Sequence, residues 1–307
     1  MDISHIGKMQ PVWYSLTMKK AYSKQYILVI VIVPFLGTLL AIALLWQRAV
    51  YWSDLALLGA MYALTAFGLT AGFHRMLTHR SFQAHPVVKG ILLVLGSMAV
   101  AGPPIEFAAT HIRHHALSDR EGDPHSPAEG LFHAHLGWLF KDRFADPQVY
   151  CRYLLKDALV VFVDRSFLLW VILSLALPFA IGGWTGLLWG GLVRIFLGHH
   201  ISFSVNSICH TFGKREFETN DRSRNQWIVG VLAFGEGWHN NHHAFPRSAF
   251  HGLHWWQFDL SGYLIWMLER LSLAHDVYRV SPAMLARASS READPVASSS
   301  RPGNEAV

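Results

Sequence analysis

The chain has 307 residues, of which 52% are hydrophobic and only 15% are charged, and its mean hydropathy is +0.25. This composition excludes a disordered or fibrous protein and disfavours an ordinary soluble domain, whose surface needs more charge, so a membrane protein is expected. The net charge of +5 is small and dispersed, which indicates an anionic membrane surface and no nucleic acid as the electrostatic partner. The two cysteines, Cys151 and Cys209, provide neither a disulfide framework nor a cysteine zinc site.

Four apolar runs predict four membrane-spanning helices. The first run, Gln25–Gln47, is uncharged and long enough to cross a bilayer, and it is too long and too far from the start of the chain to be a signal peptide. The predicted spans cover residues 25–47, 53–73, 166–182 and 184–205, and they pair into two helical hairpins. We therefore predict an all-α integral membrane protein.

The distribution of lysine and arginine predicts which side of the membrane each segment faces. The N-terminal arm (residues 1–24) and the segments after the second and fourth spans are rich in these residues, whereas the two hairpin turns contain only Arg48. By the positive-inside rule, both termini and a helical cap are expected in the cytoplasm, as in a bacterial inner membrane. The membrane domain comprises residues 25–280, and its cap is formed by residues 74–165 and 206–280.

Three further features bear on the topology. Gly90–Ile105 is uncharged but has only 16 residues, so it fits a span, a re-entrant piece or a helix in the membrane plane, and we favour the in-plane helix. Arg194 lies inside the fourth span, where a charge is either functional or paired with a neighbouring group. Residues 281–307 are rich in Ser, Ala, Pro and charge, which predicts a disordered tail.

Histidines are concentrated in four clusters, which all lie at the predicted cytoplasmic ends of spans or in the cap. The clusters are HRMLTH, HIRHH, NSICH and HNNHH, and together they contain nine histidines and Asn206. Residues three and four apart on a helix share a face, so each of the two HxxHH patterns is expected to direct three imidazoles towards one point. Nine imidazoles exceed the ligand number of one metal ion and suit two ions, and neutral imidazole suits iron, zinc, copper or nickel.

Four segments resemble the histidine boxes of the membrane-bound fatty acid desaturases, specifically the delta-9 acyl-CoA and acyl-lipid (stearoyl-CoA desaturase-like) branch. These segments are HRMLTHRSF, HIRHHALSDREGDPHSP, NSICHTFG and GEGWHNNHHAFP. The resemblance extends from about His74 to His254 and includes the order and spacing of all four boxes. It implies a helical membrane fold with a cytoplasmic cap, a non-haem di-iron centre, and an acyl chain in a tunnel beneath the irons.

The resemblance also implies which residues bind iron and what the reaction requires. By position, the ligands would be Asn206, through a water, and nine histidines: His74, His79, His111, His114, His115, His210, His239, His242 and His243. Dioxygen would be the co-substrate. Electrons would come from a separate ferredoxin or cytochrome-type donor with its reductase, since the chain has no flavin or nicotinamide glycine fingerprint.

Residues around the boxes are expected to orient the ligands and line the tunnel. Asp123, Glu106 and eight further histidines are interpreted as hydrogen-bonding or surface groups; these histidines are His85, His125, His133, His135, His199, His200, His251 and His254. We expect the tunnel to be lined by parts of the second and fourth spans, namely Met61, Leu64, Phe67, Leu197 and Phe203.

The sequence thus predicts a desaturase that introduces a cis double bond, at the delta-9 position, into a long saturated acyl chain. A fatty acyl or alkane hydroxylase of the same superfamily is the main alternative, because the same oxidant can insert oxygen. A membrane metal transporter or sensor is a remote alternative, because transporters place ionisable ligands near the middle of the bilayer. The carrier of the acyl group, whether CoA, a glycerolipid or a carrier protein, stays open at this point.

Overall fold

The computed structural model describes residues 24–47, 50–141 and 145–293. This part of the chain is mainly helical, and its one sheet pairs β1 (Gln83–Ala84) with β2 (Ala274–His275) in antiparallel register. The predicted arm up to residue 23, the hairpin-turn residue Arg48 and the last part of the predicted tail lie outside the described residues.

Two helices correspond to the first two predicted spans. Helix α1 (Lys24–Trp46) and helix α2 (Trp52–Phe67) are apolar and long, and α2 continues without a break into a π-helical segment, Gly68–Thr78. Leucine and valine side chains of α1 are about half exposed, as expected for a helix that contacts lipid. The second candidate span, Trp52–Thr78, therefore extends five residues beyond the predicted end at residue 73 and includes the first histidine of the boxes.

The third apolar helix, Phe167–Ser207, has 41 residues and folds back on itself. Gly183 interrupts it with φ 61° and ψ −143°, and a methyl group placed on Gly190 would lie 2.9 Å from the side chain of Pro178. Helix α8 (Phe167–Gly186) and the segment after it thus form a hairpin whose bend, at Gly183, coincides with the predicted turn between residues 182 and 184. The described part of the chain contains three candidate membrane helices, and the division into four spans stays a prediction.

Between the second and third of these apolar helices, the chain forms a series of short helices. They are α3 (Pro86–Met98), α4 (Pro104–Leu117), α5 (Leu131–His135), α6 (Pro147–Tyr150) and α7 (Ala158–Arg165). The π-helical segment Leu187–Val193 and α9 (Arg194–Ser207) complete the second hairpin, and α10 (Trp227–Leu232), α11 (His239–Ala244), α12 (Leu260–Arg270) and α13 (Pro282–Ala293) follow. The segment Gly90–Ile105, expected as one in-plane helix, is divided: α3 ends at Met98 and α4 begins at Pro104.

Helix α13 occupies residues 282–293 of the segment predicted as a disordered tail (residues 281–307). Pro282 opens this helix with its fixed φ, and the Ser281 hydroxyl accepts a hydrogen bond from the amide of Met284 at 3.3 Å, which caps the first turn. Alanine, leucine, methionine and arginine then supply high helix propensity, which a composition argument based on Ser, Pro and charge overlooks. Residues 294–307 lie outside the described part of the chain.

The main hydrophobic core lies among these short helices, beside the π-helical segment Gly68–Thr78. Phe73, Leu93, Ile105, Val160 and Ile265 are each fully buried there. This core joins the helices that carry the first two histidine clusters. The position of the boxes is therefore set by close packing of apolar side chains.

Close contact between the π-helical segment and α3 depends on two glycines. A methyl group on Gly68 would lie 2.1 Å from the backbone nitrogen of Gly96, a distance that the two backbones must widen to accommodate.

We predict that Gly68→Ala lowers the free energy of unfolding by about 1–3 kcal/mol, the usual cost of overpacking. Gly59→Ala is the control, because nothing lies within 4 Å of a methyl group there and alanine favours the helix. Thermal unfolding of the detergent-solubilised variants measures the difference. Equal melting temperatures for the two variants would contradict the close packing at Gly68.

Candidate metal centre

The structure brings all nine box histidines together, in two adjacent groups. The five-histidine group contains His74, His79, His111, His115 and His242, and the four-histidine group contains His114, His210, His239 and His243. Within each group, one nitrogen of each ring lies within 4.8 Å of the others. The prediction that each HxxHH pattern directs its three imidazoles towards one point is wrong, because the histidines of both patterns are divided between the two groups.

Helical geometry explains the division. On α4, His111 and His115 are four residues apart and enter the five-histidine group, whereas His114 is rotated away from them and enters the other group. On α11 the arrangement is reversed: His239 and His243 enter the four-histidine group, and His242 enters the five-histidine group. Each pattern therefore supplies a pair of imidazoles to one group and a single imidazole to the other.

The π-helical end of the second span places His74 and His79 together. Five residues on an α-helix turn the chain by about 500°, so these two side chains would diverge on a regular helix. In the structure, the amide of His79 donates to the carbonyl of His74 at 3.0 Å, and their Nε2 atoms are 3.1 Å apart. The wider turn thus aligns two histidines that the α-helical period separates.

The nitrogen atoms are arranged as ligands around a metal ion would be. Adjacent Nε2 atoms are 2.8 Å apart in His74 and His111, 3.0 Å in His111 and His115, and 2.9 Å in His115 and His242. With metal–nitrogen bonds of about 2.1 Å and angles near 90°, neighbouring ligand nitrogens lie about 3.0 Å apart. The residues present therefore fit a nitrogen-rich metal site.

The four-histidine group has the same spacing. The Nε2 atom of His239 lies 3.0 Å from that of His210 and 3.1 Å from that of His243. His114 contributes an Nε2 atom that is buried and has no hydrogen-bond partner. Such an atom is costly to bury unless it binds something, and a metal ion would satisfy it.

Carboxylates orient four of the rings from the opposite side. The Nδ1 atoms of these rings contact Glu236 (His74, 2.5 Å), Asp123 (His114, 2.9 Å), Asp119 (His210, 2.9 Å) and Asp221 (His243, 2.7 Å). A carboxylate accepts the Nδ1 proton, so the Nε2 atom of each ring keeps its lone pair and directs it into the group.

Of the residues expected to orient the ligands, Asp123 does so and Glu106 does not. Glu106 is buried near Asp164, and burial first and this neighbour second raise its pKa well above the usual range. The sequence reasoning missed Asp119, Asp221 and Glu236, because no fixed spacing links them to the rings that they contact. Asp119 and Glu236 lie inside the quoted segments HIRHHALSDREGDPHSP and GEGWHNNHHAFP, and this position is the available signal; Asp221 lies outside all four segments.

Burial and mutual repulsion keep seven of the nine box imidazoles neutral. Burial first, and neighbouring imidazoles second, lower the pKa of seven box histidines, to about 3 for His115 and well below the usual value for His79, His111, His114, His239, His242 and His243. A metal ligand must be deprotonated, so these rings are ready to bind a cation at neutral pH.

Glu236 has the opposite behaviour. Burial alone would raise its pKa, but its contacts with His74, His251 and Arg75 hold this pKa well below the usual range. Arg75 is itself fully buried and also pairs with Asp259 at 2.9 Å. A charged network thus fixes the carboxylate that orients His74.

An apolar cavity leads away from the histidines between the second and fourth predicted spans. Its lining includes His74, His111 and Asn206, together with Thr70, Phe107, Ser202, Tyr62 and Arg194. Asn206 is half-buried, one helical turn before His210. Of the five predicted tunnel residues, only Phe203 lines this cavity; Met61, Leu64, Phe67 and Leu197 do not.

The chain is similar to proteins of one enzyme family. The model of the family described as fatty acid desaturase matches residues 51–264. A hex-5-enoyl-[acyl-carrier protein] acetylenase of Moorena producens is 40% identical over 84% of this chain and 87% of its own length. An acyl-CoA C20 delta-5 desaturase of Anemone leveillei is 41% identical (79% and 80% covered), and an sn-1 stearoyl-lipid 9-desaturase of Anabaena variabilis is 40% identical (74% and 84% covered).

The carboxylate contacts give a test that does not depend on activity. We predict that Asp119→Ala weakens iron binding by about 10- to 100-fold, because His210 loses the group that fixes its ring. Iron retained against a competing chelator measures this change. Glu218→Gln is the control, because Glu218 is an exposed carboxylate on the same loop as Asp221. Equal iron retention in the two variants would show that Asp119 does not support the metal site.

Proposed function

Because the chain belongs to the fatty acid desaturase family, we propose that it introduces a cis double bond, at the delta-9 position, into a long saturated acyl chain. One observation carries this proposal: His74 and His111 of the five-histidine group line an apolar cavity, and the four-histidine group lies beside them. An acyl chain in this cavity would present its methylene groups to these histidines.

The reaction needs more oxidising power than side chains provide, because the C–H bonds of an alkyl chain are not acidic. One saturated chain, one dioxygen, two electrons and two protons give one monounsaturated chain and two waters. Two irons held by the nine histidines would supply the oxidising power when bound, with dioxygen as co-substrate.

The protein's own residues position the reactants. Glu236, Asp119, Asp123 and Asp221 hold the histidine rings in one orientation. The mostly apolar cavity lining, which includes Thr70 and Phe203, favours an extended apolar chain. The distance that the chain penetrates then selects the carbon pair that reacts.

The similar proteins differ in the position at which they act and in the carrier that their names give, so neither property transfers to this chain directly. We propose the delta-9 position, with CoA or a glycerolipid as the carrier. Membranes supplied with labelled acyl-CoA or with labelled phospholipid would separate these carriers. The electrons would come from a separate ferredoxin or cytochrome-type donor with its reductase.

The chain is a membrane protein, and we propose a specific topology for it. The two hairpins would form four spans, and both termini and the histidine groups would face the cytoplasm. The lysine and arginine distribution supports this orientation.

Expression in a host without its own desaturase tests the activity. We predict new cis-monoenoic acids with the double bond at the delta-9 position, and none from His111→Ala, which lacks one imidazole of the five-histidine group. Gas chromatography with mass spectrometry of the total fatty acids measures both. Hydroxy acids in place of monoenes would favour the hydroxylase alternative, and an unchanged profile with iron and reductant present would refute the desaturase.

A further inference from the structure

A strained turn forms part of the cavity wall. Residues 99–103 connect α3 to α4 and line the cavity throughout. Val100 has a positive φ of 63°, a conformation that a β-branched residue rarely adopts, and its side chain is 3% exposed. Such strain persists only where the surroundings hold it, and it concentrates at functional sites.

Three polar side chains hold this turn from the opposite helices. The ring of His199 donates through Nε2 to the carbonyl of Val100 at 3.1 Å. The guanidinium of Arg194 and the hydroxyl of Ser174 both donate to the carbonyl of Met98, at 2.8 and 2.9 Å. The carbonyl groups at the start of the turn are therefore fixed to α8 and α9.

Arg194 is tied in place by further contacts. Its guanidinium also donates to the hydroxyl of Ser174, to the carbonyl of Ser174 at 3.3 Å and to that of Gly190 at 3.2 Å. Arg194 is 1% exposed, and these hydrogen bonds all go to carbonyl and hydroxyl oxygens. A buried charge that binds this many backbone groups resists displacement, because each lost bond leaves a polar atom unsatisfied.

These contacts join the two walls of the cavity. Arg194 and His199 lie on the side of α9 that lines the cavity, together with Ser202 and Asn206. The turn leads directly into α4, whose Phe107 and His111 continue the opposite wall towards the histidine groups. The position of the turn thus sets the distance between the walls along the approach to the metal centre.

We propose that Arg194 and His199 are positioning residues that set the path of the acyl chain through this turn and thereby select the carbon pair that reacts. This inference rests on the proposed desaturase function. It assigns a role to the charge in the fourth predicted span, and a role in specificity to the strained backbone at Val100.

The ratio of products tests the proposal, because this ratio does not depend on how much protein accumulates. In the desaturase-free host, two product ratios are measured: that of the double-bond positional isomers and that of sixteen- to eighteen-carbon monoenes. We expect His199→Leu to change at least one of them by about three- to tenfold, which is the effect expected from the loss of one hydrogen bond. His199→Gln keeps an N–H donor and should stay within about twofold of the wild type. His200→Leu is the matched control, because the adjacent His200 does not line the cavity and bonds to His135 at 2.9 Å.

A second variant covers the case in which His199→Leu fails to fold. Ser174→Ala removes one donor to Met98 and one partner of Arg194 without touching the cavity, so a changed product ratio can arise only through the turn. We expect a smaller shift in this variant. Wild-type product ratios in both His199→Leu and Ser174→Ala would overturn the positioning role, whereas absence of monoenes from the wild type would instead overturn the proposed function.

Discussion

Nine buried or half-buried imidazoles face one another at distances that only a bound cation or shared protons can satisfy, and the rest of the structure depends on this constraint. The rings come from α4, α11, the end of the second span and the segment after α9. Each ring is held by packing or by a carboxylate on its far side. The charged pair of Arg75 and Glu236 extends this support into the core, where both side chains are buried. Four separate parts of the chain are thereby fixed around one point.

The sequence identified the nine histidines correctly as a group, because four clusters on one predicted membrane side are an unusual pattern. It did not identify their partition into five and four. The partition arises because His114 is rotated about the helix axis away from His111 and His115, and His242 away from His239 and His243. A count of imidazoles per helix ignores this rotation. The pairing of His74 with His79 also required a π-helical turn, and the apolar sequence around it gave no sign of one.

The supporting carboxylates were harder to predict than the box histidines. Asp119, Asp221 and Glu236 approach their rings through the tertiary fold, and Asp119 contacts a histidine 91 residues away. The cavity lining was predicted poorly for a similar reason. Apolar residues of a span look alike in sequence, and only the packing of α2 against α9 decides which of them face inward. The family assignment, by contrast, needed only the boxes, and the comparisons confirm it.

Counting metal in the intact protein tests the central claim most directly. Full-length protein should be purified from iron-supplemented, zinc-depleted cells, because zinc competes for imidazole sites under the usual order of affinities. We predict two irons per chain, with an iron X-ray absorption spectrum dominated by nitrogen ligands. One iron or none per chain, in folded protein kept under reducing conditions, would contradict the assignment of the two histidine groups to two metal ions.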